Sequence, residues 1–302
     1  MRCLGELAMQ ADWLKWEGVM AGDLEWNKVL YRLSPAELKF YLQAMQNVAP
    51  TPDYLRMTGY LKDPRCNLCH KYGCSLFHIL SHCDVALEQG RLTWRHNELL
   101  RILHIFVGKF IRSLSKHPLP AVEHRAMKFV KAGQTCKPRN VCPPSVLPLA
   151  TDWRISADLP HLSYQFPLHI AVTAQRPDIV IWSESLRTII LLELTVSYES
   201  GIADAHTRKQ DKYAELVETY RSAQWKVLLR PVEVGVLGHI AVSMQKACSE
   251  LGIWCRDLKE ALSETALRCS YAIFVARKSL TFSTNWHMWQ PRRTVSPEDE
   301  SK

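Results

Sequence analysis

Long apolar runs are missing from this sequence. The longest, such as Ile189 to Leu192, extend for a handful of residues, against the roughly 20 that a membrane-spanning helix needs. The amino terminus, Met1 to Gln10, includes Glu6 and has no hydrophobic block with a cleavage site, so neither a secretory signal nor a span is expected. Internal repeats and low-complexity tracts are also absent. A soluble intracellular protein is the expectation. A wholly disordered chain is excluded by 47% hydrophobic content over 302 residues, enough to bury a sizeable core in one large domain or two. Neither sign of charge dominates, with 38 Lys and Arg against 30 Asp and Glu, a formal net of +8. The surplus is local: Lys62 to Arg139 contains 14 basic and 5 acidic residues, and the other 224 residues balance at 24 against 25. The positive field is therefore one segment.

Ten cysteines would suit a disulfide framework only in a short secreted chain, and this chain is neither. Four of them lie within 18 residues: Cys66, Cys69, Cys74 and Cys83, with His70, His78 and His82 interleaved. The set Cys66, Cys69, His78 and Cys83 supplies three thiolates and one imidazole, the donor set of tetrahedral zinc. A loop with few large apolar side chains gains from a metal the stability it cannot build alone. Free thiols, or one oxidised pair, are the structural alternatives, and Cys74 competes with His78 for the fourth ligand position. Cys3, Cys136, Cys142, Cys248, Cys255 and Cys269 show no ligand spacing and read as core or surface residues.

Ser34-Pro35-Ala36-Glu37 is a capping box with proline at the first helical position. It predicts a helix running through Phe40, Leu42 and Met45 and stopped by Pro50 and Pro52. Upstream, Trp13, Leu14, Trp16, Leu24, Trp26, Val29 and Leu30 suggest further amphipathic helix with the tryptophans in the core. Leu99, Leu100, Ile102, Leu103, Phe106, Phe110 and Leu114 recur at three- and four-residue steps, predicting a helix from about Trp94 to Ser115. Its polar face is expected to present Arg95, Arg101, Lys109 and Arg112. Six of the sixteen prolines fall in the next 31 residues, Pro118 to Pro148, which marks a linker with at most a short strand at Met127 to Lys131. Short β-rich runs then follow at Trp153 to Leu159, His169 to Ala174, Ile179 to Ser183, Thr188 to Val196 and Trp225 to Val234. One helix over Asp204 to Ala223 and two more near His239 to Leu251 and Leu258 to Val275 complete an α/β domain. The expected division is 1–60 as helical lead-in, 61–115 as knuckle and basic helix, 116–150 as linker, 151–285 as the α/β domain, and 286–302 as a disordered tail.

Arg176-Pro177-Asp178 opens a strand, and Glu193 follows four bulky aliphatics, where an unpaired charge would cost several kcal/mol. If Ser183 to Arg187 turns a hairpin, the Asp178 and Glu193 carboxylates fall near one end of adjacent strands, within about 5 Å. Two hard oxygen donors at that spacing suit magnesium. The next helix offers Lys209 and, on the same face, Tyr213, with Lys212 beside them. A lysine next to two carboxylates can orient water or stabilise a phosphorane, while a metal activates the nucleophile and offsets leaving-group charge. The same residues also admit a plain structural reading: a loop-starting Asp178, an edge-strand Glu193 paired to a cation, and a solvated lysine.

The order of these motifs resembles the carboxy-terminal region of site-specific non-LTR retrotransposon polyproteins. The resemblance rests on Pro50 to Leu55, Asp63 to Cys69, His78 to Cys83 and Gly90 to His96 around the knuckle. It continues in Arg176-Pro177-Asp178, Glu193 to Val196, Arg208 to Tyr213 and Pro231 to Gly235. It implies a CCHC zinc knuckle followed by a restriction-endonuclease-like, PD-(D/E)xK, mixed-sheet domain. It also implies Asp178 and Glu193 as magnesium ligands, Lys209 as catalytic lysine, and Lys212 and Tyr213 in support. DNA binding is expected through Lys62, Arg65, Lys71, Arg91 and Arg95. Trp94 either stacks on an unpaired base or packs in the core. The implied activity is nicking of target DNA for target-primed reverse transcription. Its partners would be DNA, the element's RNA and a reverse transcriptase supplied separately; no membrane partner is expected, and the location would be nucleus and cytoplasm. Two departures stand out. Thr195 occupies the position where this superfamily usually has lysine, and no Tyr-x-Asp-Asp polymerase motif is present, as in a truncated or independently encoded tail. The alternative is a non-catalytic nucleic-acid-binding remnant.

Overall fold

The computed structural model describes residues 12–20, 27–116, 147, 150–162, 164, 170 and 173–283. Leu24, Trp26, the short strand expected at Met127 to Lys131 and the tail from Trp286 lie outside them. The capping box is realised: Ser34 Oγ accepts from Glu37 N at 3.3 Å, and Glu37 Oε2 accepts from Ser34 N at 2.7 Å, starting a helix over Pro35–Met45. It follows a one-turn helix, so α1 is Asn27–Leu30 and α2 is Pro35–Met45. The expected lead-in helix is otherwise a 3-10 turn at Asp12–Lys15. Pro52 does more than end α2. It is the first residue of α3, Pro52–Met57, with Thr51 as cap, because proline lacks only an N–H that this position leaves unbonded anyway.

After the cysteine loop come a π turn at His78–His82, α4 at Asp84–Glu88 and α5 at Arg91–Lys116. Among the described residues the sheet has four strands in the order β1 (Arg154–Ala157), β2 (Ile179–Ser183), β3 (Thr188–Ser197) and β4 (Lys226–Gly235). β1, β2 and β3 are antiparallel neighbours, and β3 and β4 run parallel. A parallel pair needs a crossover. Here α6 (Ile202–Lys212) and α7 (Ala214–Ser222) provide it. The single helix expected over 204–223 is broken at Tyr213, whose ring turns fully into the core. In the expected strand at His169 to Ala174, the described residues Ile170, Thr173 and Ala174 are not in strand conformation. α8 (Val242–Leu251) and α9 (Arg256–Val275) complete the α/β fold.

Both sheet faces are covered, which explains the unbroken apolar run at 189–192. Ile179, Ile181, Ile190, Leu192, Leu194 and Val232 share one core with Leu99, Leu100, Leu103 and Val107 of α5. On the other face Val180, Trp182, Ile189 and Leu191 pack on Tyr213, Leu216, Val217 and Tyr220. A third cluster joins the cysteine loop to α2 and α9. Sequence reasoning placed α5 with the knuckle, on the far side of a linker from the α/β unit. Its apolar stripe is instead part of that unit's core.

Candidate functional site

The cysteine loop is shaped by backbone bonds that need no metal. Cys66 N donates to Lys71 O at 2.9 Å and His70 N to Cys66 O at 3.0 Å, and the turn carries His70 in a left-handed conformation with φ 58°. The result gathers Cys66, Cys69, His78 and Cys83, whose ligand atoms all lie within 4.8 Å of one another. Cys66 Sγ is 3.9 Å from Cys83 Sγ, and Cys69 Sγ is 3.3 Å from His78 Nε2. Tetrahedral bonds of about 2.3 Å to sulfur imply sulfur–sulfur edges of about 3.8 Å, so these four can hold a metal ion such as zinc. Burial lowers the His78 imidazole, favouring the neutral ring that ligates. Burial pushes the Cys66 thiol up, but the N–H groups of Cys69 and Leu68 outweigh it and leave it lowered. Burial leaves Cys83 raised to about 12 against one N–H from Ala86. Cys74, the competing ligand, is buried beside Cys66 but is not among the four.

At the far end of β2, the register pairs Ile179 with Leu192 and so sets Asp178 opposite Glu193 on the sheet face that carries α6. The connection is the expected hairpin, with Ser183 facing Thr188. Asp178 N donates to Glu193 Oε2 at 3.2 Å, and Leu194 N donates to Asp178 Oδ2 at 2.7 Å. Lys209 Nζ meets Glu193 Oε1 at 2.6 Å, with Lys212 Nζ at 3.7 Å from the same oxygen. Lys212 also donates to Tyr213 Oη at 3.0 Å, and Tyr213 Oη donates to Arg176 O at 3.3 Å. Glu193 is buried and its carboxyl is raised, first by burial and then by Asp178, with Lys209 opposing. β3 lies between two other strands, so Glu193 is not an edge residue and the plain structural reading loses that support. Thr195 keeps its hydroxyl buried without a partner among the described residues.

Three residues near this centre were missed as participants. His96 of α5 places Nε2 at 3.3 Å from both Asp178 Oδ2 and Leu194 O. Burial pulls its ring down, yet the Asp178 carboxylate and the other bonds more than offset that and leave it raised. Glu233 of β4 and His206 of α6 form a second acid–base contact at 3.0 Å. The sequence does carry a signal for Glu233: a carboxylate flanked by Val232 and Val234, as Glu193 is flanked by aliphatics.

The expected nucleic-acid residues divide into two groups. Lys62, Arg65 and Lys71 are exposed, with Arg65 bonded to Asp63 at 2.6 Å and Lys71 paired with Asp84. Arg91 and Arg95 are not on the surface, at 0% and 1% exposure. Arg91 donates to Ala276 O at 2.7 Å and Ser279 O at 2.6 Å, tying down the end of α9. Arg95 donates to Ser270 Oγ at 3.0 Å and Leu80 O at 2.8 Å. Both are corrected to structural roles, because a guanidinium enclosed by protein acceptors cannot reach a phosphate. Trp94 is half-buried with its ring edge-on to Phe282, centroids 5.4 Å apart. Neither a family model nor a curated protein matches the sequence.

Proposed function

We propose that this chain is a magnesium-dependent DNA endonuclease with a restriction-like catalytic domain and a zinc-binding nucleic-acid module. One observation carries the reading: Asp178, Glu193 and Lys209, distant in sequence and from three elements, converge at one end of the sheet, with Lys209 Nζ 2.6 Å from Glu193. The donor chemistry fits the ion. Asp178 and Glu193 stand opposite each other in register, and Asp178 Oδ1 accepts no hydrogen bond among the described residues while Oδ2 takes the Leu194 N–H. Asp178 and Glu193 would hold a magnesium ion, which would supply positive charge to activate water and to offset charge on the leaving oxygen. Lys209 neutralises the phosphate as charge develops on it. Tyr213, bonded to Arg176 O and to Lys212, fixes the start of β2 and so the direction of Asp178. Thr195 stands at the usual lysine position, and Lys209 reaches Glu193 from α6 instead.

The Cys3His set suits zinc by donor type and spacing. Lys62, Arg65 and Lys71 on its surface suit phosphates. A nick leaving a 3′ hydroxyl would prime DNA synthesis by a separately supplied reverse transcriptase on the element's RNA, in the nucleus. Plasmid nicking by the purified chain, with magnesium against chelator, is the test. Magnesium-dependent nicking that is abolished in Asp178→Asn and Lys209→Met, while both still bind DNA in chelator, is expected. Retained binding with no nicking by the wild-type chain sinks the enzyme reading and leaves a binding module.

A further inference from the structure

A second polar array lies on the same sheet face as the acid pair. Glu233 pairs in register with Thr195, two residues beyond the Glu193–Pro231 pair, so its side chain projects toward α6 as Glu193 does. It is fully buried. Oε1 meets His206 Nδ1 at 3.0 Å, and Oε2 accepts from Ser243 Oγ of α8. Burial raises this carboxyl, with Ser243, His206 and the Lys209 ammonium opposing. His206 precedes Lys209 by three residues and so stands one turn away on the same face of α6. The histidine side chain is one-third exposed. Its Nε2 lies 3.1 Å from the Gln210 carboxamide. The amide atom placed there is Nε2, a donor, which suits the neutral ring; a half-turn of the carboxamide brings its oxygen there instead, to accept from an Nε2–H of the imidazolium.

A valine would fit β4 better than a buried acid if only packing were at stake. The acid's partner is an imidazole bonded at Nδ1, on a helix that carries Lys209 one turn further along. That is the arrangement by which a carboxylate orients a proton-transfer histidine. Hydrolysis that leaves a 3′ hydroxyl requires a proton on the departing oxygen. In the nuclease reading Asp178 and Glu193 hold the metal, and Lys209 keeps its charge to neutralise the phosphate.

We propose that His206, oriented by Glu233, is the catalytic residue that protonates the 3′ leaving oxygen; this rests on the nuclease reading above. As the bond from water oxygen to phosphorus forms and the bond from phosphorus to the 3′ oxygen breaks, the Nε2 proton passes to that oxygen. The proton lost by water goes to solvent, and the ring recovers its own from solvent.

The experiment compares the wild-type chain with His206→Asn, whose amide nitrogen takes the Nδ1 place and keeps a donor toward Glu233, on two DNA duplexes. One is ordinary, and the other carries sulfur in place of the bridging 3′ oxygen at a position the wild-type chain cuts. A thiolate leaves without a proton. The variant is expected to melt with the wild type, bind DNA equally in chelator, cut the oxygen linkage on the order of 100-fold more slowly, and cut the sulfur linkage at the wild-type rate. Equal cutting of the oxygen linkage by variant and wild type overturns the donor role alone. So does an equal loss on both linkages. No cutting by the wild-type chain overturns the role together with the nuclease reading. If His206→Asn melts early, His206→Gln is read by the same criteria.

Discussion

Truncating Arg95 to alanine separates a structural arginine from a phosphate contact. Its guanidinium is fully enclosed between α5, the π turn and α9, where burial lowers it to about 10, so it stays charged at neutral pH. Arg95→Ala removes the donors to Leu80 O and Ser270 Oγ. It also removes the cation that opposes the rise of the fully buried Glu199. Charge-assisted bonds contribute about 1.5–3 kcal/mol each, and breaking a buried charge arrangement costs about 3–5 kcal/mol. Arg95 Nε has no partner among the described residues, which places the expected loss near the lower end, about 3 kcal/mol. For a chain of this size that lowers the melting temperature by on the order of 10 °C. Thermal and urea unfolding measure it, with DNA affinity measured well below the transition. A surface phosphate contact would change stability by less than about 0.5 kcal/mol and weaken binding instead. Melting within about 2 °C of wild type, with a clear loss of affinity, would refute the structural assignment and return Arg95 to the interface.

Elemental analysis should find one zinc per chain, lost in Cys69→Ser and retained in Cys74→Ala; retention in the first or loss in the second would redraw the ligand set. Salt dependence of DNA binding should flatten when Lys62, Arg65 and Lys71 are all changed to Ala, since each exposed cation that meets a phosphate adds to the log-log slope. An unchanged slope would place the interface elsewhere. Glu199 carries a pH signature. Burial raises its carboxyl to about 8 against the N–H of Leu237, so the folded state holds this proton more tightly than the unfolded chain, where the carboxyl titrates near 4.3. Its contribution is complete at pH below about 4.3 and is lost as pH rises through about 8. Urea midpoints of wild type should therefore fall between those limits relative to Glu199→Gln, and parallel profiles would count against it.

Local signals were the legible ones. Ser34 to Glu37 announces the start of α2 because both partners of the capping box lie within one turn, and the apolar spacing of Leu99 to Leu114 announces α5. The hairpin that pairs Asp178 with Glu193 could be read because the turn at 183–187 fixes the register. Hidden features all depend on distant residues. Tyr213 continues the spacing of Leu216, Val217 and Tyr220, and nothing nearby shows that its ring will break the helix to fill the space beneath β2 and β3. Arg91 and Arg95 read as surface charge because their acceptors, Ala276 O, Ser279 O and Ser270 Oγ, lie more than 170 residues away. Gly235 is another such case: a Cβ there would stand 2.2 Å from Glu199 Oε1, so the glycine is set by an acid in a different segment.

α5 ties the two candidate sites together. Arg95 grips the carbonyl of Leu80, between the candidate ligands His78 and Cys83, while the next residue, His96, touches Asp178. One turn on, Leu99 and Leu100 enter the core shared with β2 and β3. A helix is stiff over a single turn, so the position of the His96 ring depends on the anchorage of Arg95, and that anchorage depends on the loop holding its shape. The acids lie outside the candidate metal ligands, yet Asp178 is joined to the cysteine loop through two adjacent side chains, Arg95 and His96. The basic helix thus serves as the strut between the cysteine loop and the sheet end where Asp178 and Glu193 meet, and two of the cations expected to face nucleic acid, Arg91 and Arg95, are what hold it in place.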